Sequence, residues 1–249
     1  MAVPLIIAHR GDSAMRPENT LAAFREALSV GADLVEMDVQ LTKDGHVVVL
    51  HDVTVNRTTD GNGSVRDMTL AEVKKLDASF PSKFDSQFKG ERIPTLREAL
   101  ELLRGKKKVL VEIKRESVTP EEDDGVEAKV VAEIQRLRMD KEVALISFER
   151  RSLLRCRKLA PDIKRGAIFY REEIPQMIAA AKEVDSELLL PEKGSLTADL
   201  FGHAEMVGVK VATWVVDEAA ELRSLAHFDL YAVGSNRPGA LIDALWSGE

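Results

Sequence analysis

The chain has 249 residues, 45% of them hydrophobic and 31% charged, which is enough for one large apolar core. The formal net charge of -7 argues against a dedicated nucleic-acid-binding protein, and an anionic substrate would need local positive charge. The single cysteine, Cys156, excludes an intrachain disulfide. No apolar stretch approaches the ~18 residues of a membrane span, and the N-terminus lacks a signal pattern. We therefore expect a cytoplasmic protein with no integral membrane association.

Apolar runs rich in Val, Ile and Leu alternate with amphipathic stretches, which predicts a parallel sheet with helical connections. The predicted strands, in chain order, are Pro4–Ala8, Asp33–Val39, Val47–Leu50, Lys108–Ile113, Val143–Ser147, Ile163–Phe169, Glu187–Leu190, Val209–Val216 and Asp229–Val233. The predicted helices are Thr20–Ser29, Thr95–Arg104, Glu121–Leu137, Glu149–Leu159, Glu172–Lys182, Thr197–Met206, Asp217–Leu225 and Arg237–Trp246. Asn19 and Thr95 are the expected N-caps of the first two helices.

One pair of strands breaks this alternation. Only a short turn, Lys43–Gly45, joins Asp33–Val39 to Val47–Leu50. Parallel strands need a crossover of roughly a dozen residues or more, so we expect this pair to form an antiparallel hairpin arm. A hairpin centred between Asp44 and Gly45 would place Asp38 opposite His51.

The other eight strands predict an α/β protein of the (β/α)8 TIM-barrel type, with an open doubly wound sheet as the alternative. The barrel is favoured because polar residues cluster after the strands, and barrel active sites lie at that face. Residues 52–92 do not fit the repeat, and loops of that length usually carry structure or function. We expect a single barrel domain over residues 1–249, with a small insertion at about 52–92 over its mouth.

Charged residues interrupt two of the apolar strands at a spacing of two. Glu36 and Asp38 lie in one strand, and Glu112 and Lys114 lie at the end of another. Side chains two apart on a strand point the same way, and unpaired charges in such a place cost roughly several kcal/mol or more. The three acids could form a salt-bridge network with lysines, but their hard oxygen atoms favour one divalent cation, Mg²⁺ or Ca²⁺.

Two histidines follow predicted strands near these acids. His9 ends the first strand and precedes Arg10, whose guanidinium matches phosphate geometry. His51 ends the hairpin and precedes Asp52. Each could be a hydrogen-bonded structural histidine, but as a pair they are candidates for general acid and base, because histidine titrates close to neutral pH.

Three further residues are candidates for substrate contact. Lys114 could pair with Glu112 or neutralise charge that develops on a phosphoryl oxygen. Phe148 and Trp214 each follow or end a strand, and their rings fit either a core or a substrate wall.

Eight short motifs occur in order over residues 1–115: His9-Arg10-Gly11, Pro17-Glu18-Asn19-Thr20, Glu36-Met37-Asp38-Val39, Thr42-Lys43-Asp44-Gly45, His51-Asp52, Arg57-Thr58-Thr59, Ile93-Pro94-Thr95-Leu96 and Glu112-Ile113-Lys114. One of them alone would mean little, but the ordered set resembles the glycerophosphodiester phosphodiesterase family. Beyond residue 115 the match thins to Ser147-Phe148, Trp214 and Asn236-Arg237-Pro238.

The resemblance implies a (β/α)8 barrel with a small inserted domain and a metal-dependent site. It implies one divalent ion on three acids, two acid/base histidines and two cations on the phosphate: Glu36, Asp38 and Glu112; His9 and His51; Arg10 and Lys114. It also implies hydrolysis of deacylated phospholipids, such as glycerophosphocholine, to glycerol 3-phosphate and an alcohol. In the mechanism proposed for the family, the substrate's own glycerol hydroxyl attacks first, and water then opens a cyclic phosphate.

Two stretches depart from the family pattern. The usual Thr-Asp-Arg-Pro reads Ser235-Asn236-Arg237-Pro238, and the usual Trp-Thr-Val-Asn reads Trp214-Val215-Val216-Asp217. The metal and histidine set is untouched, so we expect Asn236 and Asp217 to alter the far pocket wall and the substrate preference.

Two alternative functions are compatible with the same barrel. The same barrel could act as a lysophospholipase D-type phosphodiesterase, which a wide apolar groove at the mouth would favour. It could also be a catalytically silent barrel that binds a phosphate ligand or a partner protein. The expected ligand is a small phosphodiester substrate. We expect no nucleic-acid partner, and the chain could form a homodimer. The preferred alcohol, the metal and the oligomeric state stay open.

Overall fold

A computed structural model describes residues 3–120 and 124–246 of the chain. Within these residues it contains the strands β1 (Leu5–Ala8), β2 (Leu34–Leu41), β3 (Val47–Val49), β4 (Lys108–Ile113), β5 (Val143–Ser147), β6 (Lys164–Phe169), β7 (Leu188–Pro191), β8 (Lys210–Thr213) and β9 (Ala232–Ser235). The helices are α1 (Leu21–Ser29), α2 (Leu70–Val73), α3 (Pro81–Phe84), α4 (Leu96–Leu103), α5 (Val126–Arg136), α6 (Arg150–Leu159), α7 (Ile174–Val184), α8 (Ala198–Met206), α9 (Ala219–Ser224) and α10 (Pro238–Trp246). Single 3-10 turns lie at Val65–Asp67, Arg115–Ser117 and Lys193–Ser195.

The sheet closes on itself. Eight parallel strands follow the order β1-β9-β8-β7-β6-β5-β4-β2, and β1 also pairs with β2. β3 is antiparallel to β2 and extends it as a hairpin arm. The prediction of a TIM barrel is confirmed, and the closure excludes the open doubly wound sheet.

The alternation of side chains along each strand separates two kinds of core. Every second residue points into the barrel, where a buried layer is formed by Ile7, Leu34, Leu110, Ala144, Ile146, Ile168, Leu188, Leu190, Ala212 and Ala232. The intervening residues point outward and pack against the helices in two larger apolar clusters. The inner rows continue past this apolar layer toward the carboxyl ends of the strands, where the polar residues lie.

Several helix ends differ from the prediction. Thr20, not Asn19, caps α1, and its Oγ1 accepts from the Ala23 amide at 3.3 Å. Asn19 has a positive φ of 57° and turns its side chain toward the barrel instead. Thr95 caps α4 as predicted. The helix predicted from Glu121 begins at Val126, and residues 121–123 lie outside the described part of the chain.

The register of the hairpin differs from the prediction by one residue. Val39 pairs with Val49, so Leu50 and not His51 lies opposite Asp38, with the Leu50 amide donating to the Asp38 carbonyl at 3.0 Å. The reason is the shape of the loop that joins the strands. It is closed by Thr42, whose amide donates to the His46 carbonyl and whose hydroxyl accepts from the His46 amide, each at 2.9 Å.

The segment 52–92 builds a small unit of its own against β3. It contains α2 and α3, and it encloses a buried cluster formed by Val48, Leu50, Val55, Val65, Val73, Ala78 and Ile93. The Lys83 ammonium donates to the Ser13 carbonyl at 2.6 Å, which ties the segment to the loop after β1. This contact holds the segment beside the barrel mouth. In the described ranges, no helix has the length and apolar character needed to cross a membrane.

Candidate active site

The register of β2 and β4 brings the acidic side chains together. Glu36 and Asp38 follow Leu34 at intervals of two on β2, so all three point into the barrel. On β4, Glu112 lies directly beside Asp38 in the parallel pairing. The acids therefore meet on top of the apolar interior, at the face where barrel enzymes carry their active sites.

The three carboxylates form a compact buried cluster. Glu36, Asp38 and Glu112 are 4%, 0% and 7% exposed, and each offers an oxygen within 4.8 Å of the others. Among the described residues, Glu36 Oε1 and Asp38 Oδ1 have no hydrogen-bond partner. Carboxylate oxygens that are buried, converge on one point and lack hydrogen bonds fit a hard divalent cation, which these three residues would hold. The buried acidic cluster agrees with the predicted metal site, but the nature of the ion stays open.

Two cations border the cluster. Arg10 Nε lies 3.2 Å from Asp38 Oδ2, and the Arg10 backbone amide donates to Glu36 Oε2 at 2.8 Å. Lys114 Nζ donates to Glu112 Oε1 at 2.7 Å and lies 3.5 Å from Asp38 Oδ1. The ion pair with Glu112 that the sequence allowed for Lys114 is therefore present, and the same ammonium also faces the centre of the cluster.

The pKa values of the acids diverge because of this arrangement. Burial raises the pKa of Glu36 well above its usual range, and the charges of Asp38 and Glu112 add to the effect. Burial also raises the pKa of Glu112, to about 7, with a further increase from Asp38 that Lys114 opposes. Burial would raise the pKa of Asp38 as well, but Arg10 and Lys114 hold it well below its usual value. Asp38 is thus held in its ionised form, whereas burial favours the protonated forms of Glu36 and Glu112.

His9 lies at the mouth end of β1, on the side of Asn236. Its Nδ1 is 2.8 Å from the side-chain oxygen of Asn236. Burial lowers the pKa of His9 to about 4, and the nearby charge of Arg10 adds to this. The ring is therefore neutral at pH 7 and is able to accept a proton.

His51 approaches the same cavity from the end of β3. Its Nδ1 lies 2.6 Å from Asp52 Oδ1, and Asp52 in turn accepts from Arg57 Nε at 2.7 Å. Burial would raise the pKa of Asp52, but its bonds to Arg57 and His51 lower it to about 2. Asp52 is therefore ionised and orients the ring of His51. The sequence allowed a hydrogen-bonded structural histidine at this position, and the structure shows both that hydrogen bond and contact of His51 with the cavity.

A cavity of about 350 Å³ opens between these groups. It is lined by eight of the nine predicted site residues: His9, Arg10, Glu36, His51, Glu112, Lys114, Phe148 and Trp214. The ninth, Asp38, is buried behind the wall and reaches the cluster of acids. Phe148 and Trp214 meet edge to face, with ring centroids 5.7 Å apart, and form an aromatic wall. The structure thus gathers the nine residues around one space, and their individual roles remain predictions.

Sequence reasoning did not assign a role in the site to the residues that hold this set in place. The side-chain Nδ2 of Asn19 donates to Asp38 Oδ2 at 2.8 Å. The Glu18 carboxylate accepts from Arg10 at 2.9 Å and from Arg57 at 2.8 Å. All three supporting residues lie in motifs that carried the family resemblance, so a signal existed. What the sequence did not show was which partner each one contacts.

Asp217 and Asn236, the two residues that depart from the family pattern, do not lie in the part of the pocket that we expected. We predicted that they would alter the far wall of the pocket. The structure places both behind His9, with Asn236 in direct contact with its ring, while Phe148 and Trp214 form the far wall. The two positions therefore bear on the histidine itself.

Known proteins resemble this chain along almost its whole length. Residues 9–240 match the model of the glycerophosphoryl diester phosphodiesterase family. A glycerophosphodiester phosphodiesterase of Caldanaerobacter subterraneus subsp. tengcongensis is 40% identical over 247 residues, which cover 98% of both chains.

Solved structures share the architecture along the whole chain. An Oleispira antarctica phosphodiesterase in complex with the product sn-glycerol-3-phosphate is 30% identical, with a TM-score of 0.88 over 98% of this chain and 97% of that one. A glycerophosphodiester phosphodiesterase of Agrobacterium tumefaciens is 28% identical, with a TM-score of 0.83 over 96% of this chain and 99% of that one. A match of this extent in sequence, together with the same barrel, makes the chain a member of the glycerophosphoryl diester phosphodiesterase family.

Proposed function

We propose that the protein hydrolyses glycerophosphodiesters to glycerol 3-phosphate and an alcohol, with one divalent cation, Mg²⁺ or Ca²⁺, held by Glu36, Asp38 and Glu112. The observation that carries this proposal is a single cavity in which two histidines and two cations surround three converging acids. The glycerol 3-phosphate complex of the Oleispira antarctica relative is consistent with such a substrate.

Arg10 and Lys114 supply the charge that an anionic phosphodiester needs. Both side chains are mostly buried, at 18% and 11% exposed, and both already face the acidic cluster. Guanidinium and ammonium groups in a desolvated site stabilise negative charge that develops on phosphoryl oxygens. When bound, a divalent ion would act as a Lewis acid that polarises a phosphoryl oxygen and lowers the pKa of the attacking hydroxyl.

The histidines are placed to move two protons. Their Nδ1 atoms are occupied by Asn236 and Asp52, so Nε2 is the nitrogen left for exchange with the substrate. One ring takes the proton of a glycerol hydroxyl as its oxygen bonds to phosphorus. The other donates a proton to the alcohol oxygen as its bond to phosphorus breaks. Water then opens the cyclic phosphate by the same transfers in reverse, which yields glycerol 3-phosphate.

A second space beside the cavity suits the departing alcohol. A groove of about 910 Å³ adjoins Glu112, Lys114 and Phe148. Its lining combines apolar residues, such as Leu153, Leu154 and Phe169, with seven further charged residues: Arg115, Glu116, Glu149, Arg150, Arg151, Glu172 and Glu183. These charged groups favour a polar alcohol over an acyl chain, because an acyl chain would leave them without polar partners. We therefore rank glycerophosphodiesters above lysophospholipids.

The test is turnover across a panel of glycerophosphodiesters and lysophosphatidylcholine, with Mg²⁺, Ca²⁺ and Mn²⁺ in turn and with a chelator. We expect release of glycerol 3-phosphate from the glycerophosphodiesters, loss of turnover with chelator and little choline from the lysophospholipid. Choline release from lysophosphatidylcholine alone would favour the phospholipase D-type alternative. No product from any compound would favour a silent barrel. Action in the cytoplasm, independence of nucleic acid and the option of a homodimer stay predictions.

A further inference from the structure

Two side chains, Asp217 and Asn236, form a hydrogen-bonded chain behind His9. The Asp217 carboxylate accepts from the Asn236 backbone amide at 2.7 Å, from Asn236 Nδ2 at 2.9 Å and from the Ser235 hydroxyl at 3.1 Å. The side-chain oxygen of Asn236 lies 2.8 Å from His9 Nδ1 and 3.0 Å from the Ser13 hydroxyl. The chain thus runs from a carboxylate through an amide to an imidazole.

The chemistry of these groups fixes the orientation of each one. A carboxylate only accepts hydrogen bonds, so the Asn236 amide must present its NH₂ group to Asp217. Its carbonyl oxygen must then face His9. Because a carbonyl oxygen also only accepts, His9 must carry its proton on Nδ1.

This orientation decides what His9 is able to do on its other side. With the proton on Nδ1, a neutral ring has its lone pair on Nε2, which is the nitrogen left for the cavity. A ring in this tautomer accepts a proton there, whereas the opposite tautomer would point an N–H group at the substrate. The Ser13 hydroxyl lies 2.9 Å from the His9 backbone carbonyl as well, so its single proton is shared between that oxygen and the Asn236 oxygen.

We propose that Asp217 and Asn236 form a positioning pair that fixes His9 as the Nδ1–H tautomer, so that Nε2 is the base that takes the proton of the attacking hydroxyl. Because Nδ1 of His9 faces a neutral amide and Nδ1 of His51 faces a carboxylate, we assign the first proton transfer to His9 and the donation to the alcohol to His51. The assignment of the base rests on the proposed function, but the tautomer does not.

The pair offers a test in which the two groups are exchanged. Asp217→Asn leaves two amides facing each other, so the Asn236 amide can turn over and no longer fixes the ring. Asn236→Asp sets two carboxylates side by side, which costs stability. The double exchange, Asp217→Asn with Asn236→Asp, restores every bond, because the new amide at position 217 donates to the new carboxylate at 236. That carboxylate again accepts from His9 Nδ1.

The measurements are the ¹⁵N chemical shifts of the His9 ring, kcat and KM, and the melting temperature. We expect the wild-type ring to carry its proton on Nδ1 alone. Asp217→Asn should give mixed tautomers and lower kcat by ~10-fold or more, the scale for loss of an outer hydrogen-bonding partner, with KM changed less. The double exchange should restore one tautomer and most of kcat, which a purely structural role for the pair would not predict.

The control is Asp199→Asn. Asp199 is 70% exposed and lies 3.2 Å from Nδ1 of another histidine, His203, on α8. We expect this variant to keep both kcat and the His9 spectrum. A wild-type proton on Nε2, or wild-type kcat in Asp217→Asn, would overturn the proposal. If the wild-type protein turned over no glycerophosphodiester, the proposed function would fail, and the spectrum would still confirm or overturn the tautomer.

Discussion

Arg57 provides a sharp test of how the insertion supports the site. Its guanidinium makes four hydrogen bonds to two carboxylates, with Asp52 at 2.7 and 3.2 Å and with Glu18 at 2.8 and 2.8 Å. Asp52 orients His51, and Glu18 accepts from Arg10 at 2.9 Å. One side chain from the segment after β3 therefore holds both an acid/base histidine and a cation of the phosphate site.

The magnitude of its loss follows from this geometry. The Arg57 side chain is 39% exposed, so its ion pairs are partly screened and Arg57→Ala should cost only about 1–2 kcal/mol of folding free energy. We expect Arg57→Ala to lower transition-state stabilisation by more than it lowers the folding free energy. Loss of a partner that orients a functional group typically lowers activity by roughly 10–100-fold, or about 1.4–2.7 kcal/mol of transition-state stabilisation. Arg57→Lys keeps the charge but not the fork geometry, so it should fall between Arg57→Ala and the wild-type protein.

The matched control is Arg97→Ala. Arg97 is also 39% exposed and also forms a two-pronged pair, with Glu133 at 2.9 and 2.7 Å, but it joins α4 to α5 on the outer layer. Thermal unfolding and kcat/KM should be measured for each variant. We expect similar losses of stability and a loss of kcat/KM in the Arg57 variant alone. Equal kcat/KM in the two alanine variants would refute the idea that Arg57 supports the site.

Three further outcomes follow from the same geometry. His9→Ala and His51→Ala should each lower kcat by ~10²-fold or more, the scale for acid/base groups, while His203→Ala on the exposed face of α8 should match the wild-type protein. Glu36→Gln keeps the shape of the side chain but should abolish the response of turnover to added Mg²⁺ or Ca²⁺; a parent-like response would exclude Glu36 as a ligand. Because the pKa of Glu112 is raised to about 7 and that of Glu36 is raised well above its ordinary value, ion binding must displace protons. Affinity should therefore rise with pH through neutrality, and calorimetry in buffers of different ionisation enthalpy should detect a release of protons on ion binding at pH 7.

The inward placement of the acids could be predicted because it depends on a strict local rule. Alternation along a strand fixes that Glu36 and Asp38 point to the same side of β2. The register of β2 and β4 then places Glu112 beside Asp38. The barrel itself followed from the succession of strands and helices, because the right-handed connections of parallel strands leave few topologies. These two steps predicted most of the cavity wall.

The errors arose where a side chain bonds to a distant or irregular partner. Asn19 resembles a helix cap by residue type, but its bond to Asp38 takes it away from that role, and Thr20 replaces it. The predicted register of the hairpin was wrong by one residue because Thr42 closes the loop through hydrogen bonds to His46. The alternation of side chains along the strands does not predict such bonds. Contacts across long stretches of sequence, such as His9 with Asn236, have no local pattern that would reveal them.

The most direct test of the central claim is a titration of chelated, metal-free protein with Mg²⁺ or Ca²⁺ while release of glycerol 3-phosphate is followed. If three acids hold one ion in the cavity that carries the two histidines, turnover should start near zero. It should rise linearly under tight-binding conditions and break at one ion per chain. Full turnover in the metal-free protein, or a break far from one equivalent, would contradict this account.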